Sequence, residues 1–136
     1  MRLKSFLPGI IWFTISCYLL AMPGDDLPDN GFFDIPFFDK YVHFGMFFLL
    51  TFLFCYPYTL SYKSIILWRK VAYKIAFIAI CYGITMEYVQ KYFVAGRSFD
   101  LIDIVFDIIG SVSGIVGIWI FDKKIGPDRN RGRNQN

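Results

Sequence analysis

Nine polar residues gather at the edges of long apolar stretches. Asp39, Lys40 and His43 open one stretch, Glu87 and Gln90 close the next, and Arg97, Asp100, Asp103 and Asp107 open the last. Their types define a short menu of chemistry. His43 and Glu87 can act as general base and acid, with Asp39, four residues before His43, orienting the imidazole. The five carboxylates offer the oxygen ligands that hard cations such as Mg2+ or Ca2+ prefer. Lys40 and Arg97 suit an anionic group. A single histidine cannot build the usual zinc site, and the chain has no H-E-x-x-H and no Ser or Cys nucleophile with an evident base. Five carboxylates (Asp39, Glu87, Asp100, Asp103 and Asp107) against Lys40 and Arg97 leave the set at net −3 with His43 neutral. That balance favours a cation, a substrate amine or a metal-bridged phosphate over a bare anion. No cofactor is required, and a divalent cation is allowed.

The elements that must position these groups are apolar. The chain has 136 residues, 56% of them hydrophobic and 21% aromatic, with a mean hydropathy of +0.47. A single soluble domain has no interior for that much apolar surface, so lipid covers part of it. Runs at about 6–22, 41–60, 71–88 and 101–121 approach the roughly 20 apolar residues that a membrane-spanning helix needs. The expected fold is all-α, an integral membrane four-helix bundle over residues 1–125, followed by a basic, disordered cytoplasmic tail over 126–136.

Orientation follows from the cations. Arg2, Lys4, Lys63, Arg69, Lys70, Lys74, Lys123, Lys124, Arg129, Arg131 and Arg133 are eleven of the fourteen Lys and Arg residues, and four spans put all of them on one side. Lys40, Lys91 and Arg97 fall on the other. The positive-inside rule then places both termini in the cytoplasm and all nine polar residues at the outward face. The first run lacks an A-x-A cleavage site, so a retained helix is expected rather than a signal peptide. Cys17, Cys55 and Cys81 each lie in a different run with no C-x-x-C pairing, as expected of small apolar filler. The loop before Lys40 carries Asp25, Asp26, Asp29 and Asp34, read as solvated, and the Phe32-Phe33 and Phe37-Phe38 pairs, read as lying against the membrane or the bundle. Trp68 is read as an interfacial anchor in a basic inner loop over 61–70. The short basic tail suits contact with anionic lipid, and a nucleic-acid role is not expected.

Helical spacing sorts the groups onto faces. Asp100, Asp103, Asp107, Gly110, Gly114 and Gly117 form one stripe of the fourth run, joined by Ser111. The third run has a matching stripe of Ala76, Ala79, Gly83, Glu87 and Gln90. Small residues allow close helix approach in a bilayer, so these two stripes are expected to face one another. Asp107 lies about 10 Å below Asp100 along the helix. A lone ionised Asp at that depth costs about 2.5–3.5 kcal/mol on insertion scales, so it must be paired, hydrated, neutral or bound to a cation.

Together, Asp39-Lys40-x-x-His43-Phe44, Gly83-x-x-x-Glu87-x-x-Gln90, Gly96-Arg97-Ser98-Phe99-Asp100-x-x-Asp103 and Gly110-x-x-x-Gly114 make the chain resemble the VanZ-like family of bacterial integral membrane proteins over about residues 36–120. The family pattern usually has Asn where this chain has Asp107. The resemblance implies a small, multi-pass protein of the bacterial cytoplasmic membrane. It implies that Asp39, Lys40, His43, Glu87, Gln90, Arg97, Asp100 and Asp103 are the functional signature. It also implies an envelope role, since the founding member is associated with low-level teicoplanin resistance. The expected function is therefore an outward-facing polar site, Asp107 included, that binds or modifies a cell-envelope molecule such as a lipid-linked wall precursor or a glycopeptide. Membrane lipid is the other expected partner, and a homo-oligomer is compatible with the pattern. Two alternatives stand beside this. The cluster can be an interhelical salt-bridge network, Arg97 with Asp100 or Asp103 and Lys40 with Glu87. It can also serve a small ion-coupled carrier that uses Asp107 and Glu87 as relays.

Overall fold

The structure, a computed structural model, describes residues 3–23, 37–61 and 65–133. A short 3-10 turn, Leu3–Phe6, leads into α1 (Leu7–Leu20); α2 (Phe38–Ser61), α3 (Ile65–Phe93) and α4 (Leu101–Arg133) follow. Stretches of all four are long and apolar enough to cross a bilayer: Leu3–Leu20, Phe38–Thr59, Trp68–Phe93 and Leu101–Lys124. The chain is an all-α, multi-pass membrane protein. The loop aspartates and Phe32-Phe33 lie outside the described residues.

α2 is the centre of the bundle, and it packs most extensively against α4. Phe44, Phe48 and Phe52 stack at successive i,i+4 positions, with ring centroids 6.2 and 6.1 Å apart. The glycine edge of α4 lies against this side of α2, with the Phe48 and Phe52 rings beside Gly117. A Cβ added at Gly110 would lie 2.5 Å from the Phe44 carbonyl oxygen, and one at Gly114 2.7 Å from that of Phe48. The glycines of the α4 stripe therefore face α2, while its acidic end meets the matching stripe of α3 as the spacing suggests. Gly83 of α3 instead makes room for the Asp107 carboxylate, whose Oδ2 would be 2.5 Å from an added Cβ.

Two apolar clusters fill the interior. Leu20, Met46, Phe47, Leu50 and Ala79 join α1, α2 and α3; Cys55, Trp68, Ala72 and Ile118 join α2, α3 and α4 towards the opposite end. Trp68 is thus buried within α3, edge-on to Trp119, and is not an interfacial anchor: α3 starts at Ile65, which draws this residue into the bundle. Pro57 is accommodated inside α2. The cysteines are free. The helical backbone of α4 continues to Arg133, where an irregular tail is expected from residue 126.

α1 rests on α2 and α3 through specific polar ties. Gly9 lies against the Phe54 ring, Trp12 Nε1 donates to the Met46 carbonyl at 3.0 Å, and the Tyr82 hydroxyl lies 3.1 Å from Ser16 Oγ. On the far side of α4, Ile102, Val105, Ile109, Val112, Val116 and Ile120 are exposed at intervals of three and four, a stripe for lipid.

Candidate functional site

The site is built where the C-terminal ends of α1 and α3 meet the N-terminal ends of α2 and α4. The turn from α3 to α4 is tight because Gly96 adopts a left-handed φ of 71°. Asp100 ends that turn as the N-cap of α4: its Oδ1 accepts the Ile102 N–H at 2.8 Å, the bond that an N-cap carboxylate supplies to the first helical turn. The Asp100 N–H donates to Glu87 Oε2 at 2.9 Å, which fixes the carboxylate of α3 against the start of α4.

Lys40 is the hub of one half of the cluster. Its Nζ lies 2.8 Å from Asp39 Oδ2, 2.5 Å from Asp100 Oδ2 and 2.7 Å from Asp103 Oδ1. The ammonium donates a hydrogen bond to Asp100, and Asp39 and Asp103 flank it as ion pairs. The side chain of Lys40 is buried, whereas Asp39 and Asp100 are partly open to solvent. The Lys40 hydrogen bond, and after it the Ile102 N–H, hold the Asp100 carboxyl below its ordinary range.

His43 organises the other half, one turn deeper. Its Nδ1 lies 2.9 Å from Asp107 Oδ1, with both side chains 5% exposed or less. A carboxylate only accepts, so Nδ1 carries the hydrogen of this bond when Asp107 is ionised, and Nε2 presents its lone pair. Nε2 points towards Asp103 Oδ2, 4.0 Å away, too far for a hydrogen bond. Glu87 closes the third side, almost wholly buried. One donor atom from each of His43, Glu87 and Asp103 lies within 4.8 Å of the others. Glu87 Oε1 and Asp107 Oδ2 are buried and have no hydrogen-bond partner. Below them on α4, Ser111 Oγ is buried and equally unpaired.

Seven of the nine residues singled out by the sequence therefore form one connected cluster: Asp39, Lys40, His43, Glu87, Asp100, Asp103 and Asp107. The pairings differ from those expected. Lys40 is bound to Asp39, Asp100 and Asp103, not to Glu87. His43 is held by Asp107 from the facing helix, not by Asp39, whose carboxylate turns to Lys40 instead. Gln90 is a tie between helices: its Nε2 donates to the Leu20 carbonyl at 2.9 Å, one of the carbonyls that the end of α1 leaves without an intrahelical partner. Arg97 is half-buried, forms no ion pair with a carboxylate among the described residues, and leaves its buried Nε unpaired. Sequence reasoning did not find the capping role of Asp100. An Asp directly before an apolar helical run is the signal that marks it.

This arrangement can hold a positive ion between three acceptors, or place an imidazole nitrogen and a carboxylate oxygen on one bound group. Comparison with known proteins places it in a family without assigning chemistry. The chain is 36% identical over 110 residues to an uncharacterized protein, C11E3.10, of Schizosaccharomyces pombe (strain 972 / ATCC 24843), a match covering 81% of this chain and 59% of the relative. The chain thus spans about three-fifths of the length of the curated relative it matches. No solved structure matches it. The VanZ/LLP1 family profile matches residues 6–122, nearly the whole helical bundle and every residue of the cluster, and the chain belongs to the VanZ/LLP1 family.

Proposed function

We propose that the polar end of the bundle faces the outside of a bacterial cytoplasmic membrane and binds or modifies the headgroup of a cell-envelope molecule. A lipid-linked wall precursor is the first candidate and a glycopeptide the second. The observation that carries this reading is incomplete neutralisation. A buried polar group without a partner costs about 1–3 kcal/mol, yet Glu87 Oε1 and Asp107 Oδ2 stand unpaired beside His43, with Arg97 free of carboxylates among the described residues. The excess of cations at the other end supports the orientation. A headgroup entering from the outer leaflet meets Arg97 through its anionic part and the His43–Glu87 pair below.

The saturated bonding of Lys40 supports a second, structural reading for its own half of the cluster, where it locks α2 to α4. Photo-crosslinking separates the two. A photoactivatable lipid-linked precursor should label the wild-type protein in membranes, and the Arg97→Ala, Asp103→Ala double variant should fall to background. Equal labelling of both proteins removes the headgroup reading. A change in teicoplanin susceptibility on expression, lost in the same variant, would favour an envelope ligand on the same side.

A further inference from the structure

We propose that His43 Nε2, Asp103 Oδ2 and the free Oε1 of Glu87 form a divalent-metal site of the Mn2+ or Zn2+ class, with Asp107 as the carboxylate that orients the ligand histidine. The inference deepens the headgroup reading of the same cluster, but its geometry stands without it.

Three acceptors face one another here with no donor between them. Glu87 and Asp103 present carboxylate oxygens, and a neutral His43 whose Nδ1 hydrogen goes to an ionised Asp107, 2.9 Å away, presents the Nε2 lone pair. Mutual repulsion disperses such a group unless a positive charge sits in its middle. Glu87 Oε1 is the telling atom. Its partner oxygen is fixed by the Asp100 N–H at 2.9 Å, so Oε1 is held in place, and it is buried with no hydrogen-bond partner. The support behind His43 is of the kind metal sites use: a ligating imidazole almost always passes its other N–H to a carboxylate, which sets the tautomer and raises its basicity.

The spacing is that of an open site. At metal–ligand distances of about 2.1 Å, two tetrahedral ligands lie about 3.4 Å apart. One donor atom from each of the three residues lies within 4.8 Å of the others, and His43 Nε2 is 4.0 Å from Asp103 Oδ2, so small side-chain rotations close the shell. Asp103 stays anchored meanwhile, because its other oxygen belongs to Lys40. One nitrogen and two oxygen donors match the mixed preference of Mn2+ and Zn2+ better than the all-oxygen shells of Mg2+ or Ca2+. Three protein ligands leave coordination positions open, which water or a headgroup oxygen can take. The ion would bring the cluster from net −3 to net −1, and so remove the main objection to an anionic headgroup at this acidic mouth.

The test uses the full chain in detergent micelles, stripped with chelator and titrated with Mn2+ alone, with free Mn2+ read by electron paramagnetic resonance and Zn2+ added as competitor. One ion per chain is expected. Glu87→Gln, which keeps an acceptor for the Asp100 N–H, should weaken binding more than 100-fold, and Asp107→Asn, which keeps an acceptor for His43 Nδ1 but removes the charge behind it, should weaken it by about 10-fold, the low end for a change at an orienting partner. His43→Asn removes no negative charge and should weaken binding as strongly as Glu87→Gln. Far-UV circular dichroism checks the fold, and His43→Asn replaces Glu87→Gln should the latter not fold. Binding below one ion per chain overturns the proposal and means that a proton fills the gap. A loss in Glu87→Gln with binding retained in His43→Asn also overturns it, since that describes a diffuse acidic surface without an imidazole ligand. Arg97→Ala should bind Mn2+ normally while losing precursor labelling, so failure of the metal site and failure of the headgroup reading give different results.

Discussion

Replacing Gly110 by Ala tests whether backbone contact between α2 and α4 sets the geometry of the site. The new Cβ would lie 2.5 Å from the Phe44 carbonyl oxygen and 3.2 Å from its carbon. Ordinary C···O contacts begin near 3.3 Å, so the deficit is about 0.8 Å, and the atom in the way is backbone that cannot rotate aside. If the helices hold their spacing, overpacking costs up to about 3 kcal/mol. If they part by 0.8 Å, the His43–Asp107 bond of 2.9 Å opens beyond hydrogen-bond range, because His43 adjoins Phe44 and Asp107 lies one turn from Gly110. A bond to a charged group is worth about 1.5–3 kcal/mol. Ala recovers about 1 kcal/mol of helix propensity in either case. The net loss is roughly 0.5–2 kcal/mol, read as the shift in an SDS unfolding titration of the micellar protein followed by circular dichroism. Gly45 supplies the control, since an added Cβ there meets nothing within 4 Å, and Gly45→Ala should be neutral or stabilising. Gly117→Ala should fall between, because its nearest neighbours are the ring-edge atoms of Phe48 at 3.1 and 3.2 Å. Gly110→Ala as stable as Gly45→Ala would refute the reasoning.

Lys40→Met leaves three carboxylates facing an apolar side chain and should cost about 3 kcal/mol in the same titration, the low end for a broken buried pair because Asp39 and Asp100 retain access to water. Asp100→Ala removes both the N-cap and the Lys40 contact, whereas Asp100→Asn keeps the cap; the two should differ by about 1 kcal/mol, with Asn the more stable. Asp107→Asn retains an acceptor for His43 Nδ1 and removes a deep charge, so stability should be unchanged or higher, and any ion flux in proteoliposomes that survives it argues against Asp107 as a relay. Trp12→Phe should loosen α1 by about 1 kcal/mol through loss of the bond to the Met46 carbonyl, seen as faster proteolysis near residues 21–23.

How much of this was legible in the sequence depends on which force decides each feature. The four helices follow from apolar runs too long for a soluble core, and hydropathy alone reports them. The gathering of Lys40, His43, Glu87, Asp100, Asp103 and Asp107 at one end follows from the alternation of spans, which needs no contact information. Partner choice does not. Asp39 and Asp107 are both at a spacing or depth that suits His43, and only the approach of α4 to α2 at Gly110 selects Asp107. The same holds for the glycine stripe: spacing shows that a helix lies against it, and only the structure shows that the α2 backbone at Phe44 and Phe48 fills it. Gln90 looked like a member of the site because it shares a face with Glu87, but the unpaired carbonyl at the end of α1 claims it. Trp68 looked interfacial because it sits among basic residues, while its ring is taken up by Trp119 and the lower core.

The ion pairs between α2 and α4 also impose an order on biogenesis. Lys40 and Asp100 are 60 residues apart, and the chain emerges from the ribosome at about 5–20 residues per second. For roughly 3–12 s, Lys40 and His43 have no carboxylate from α4 to meet, and Lys40 must keep its ammonium at the water boundary while its methylene stem lies along lipid. α4 then arrives with three acids near its leading end, and the hub closes only once both helices have threaded. Until that moment Asp39, its neighbour on α2, is the one carboxylate of the three that Lys40 can meet, so the hub is assembled in two stages, a local pair first and the cross-helix pairs last.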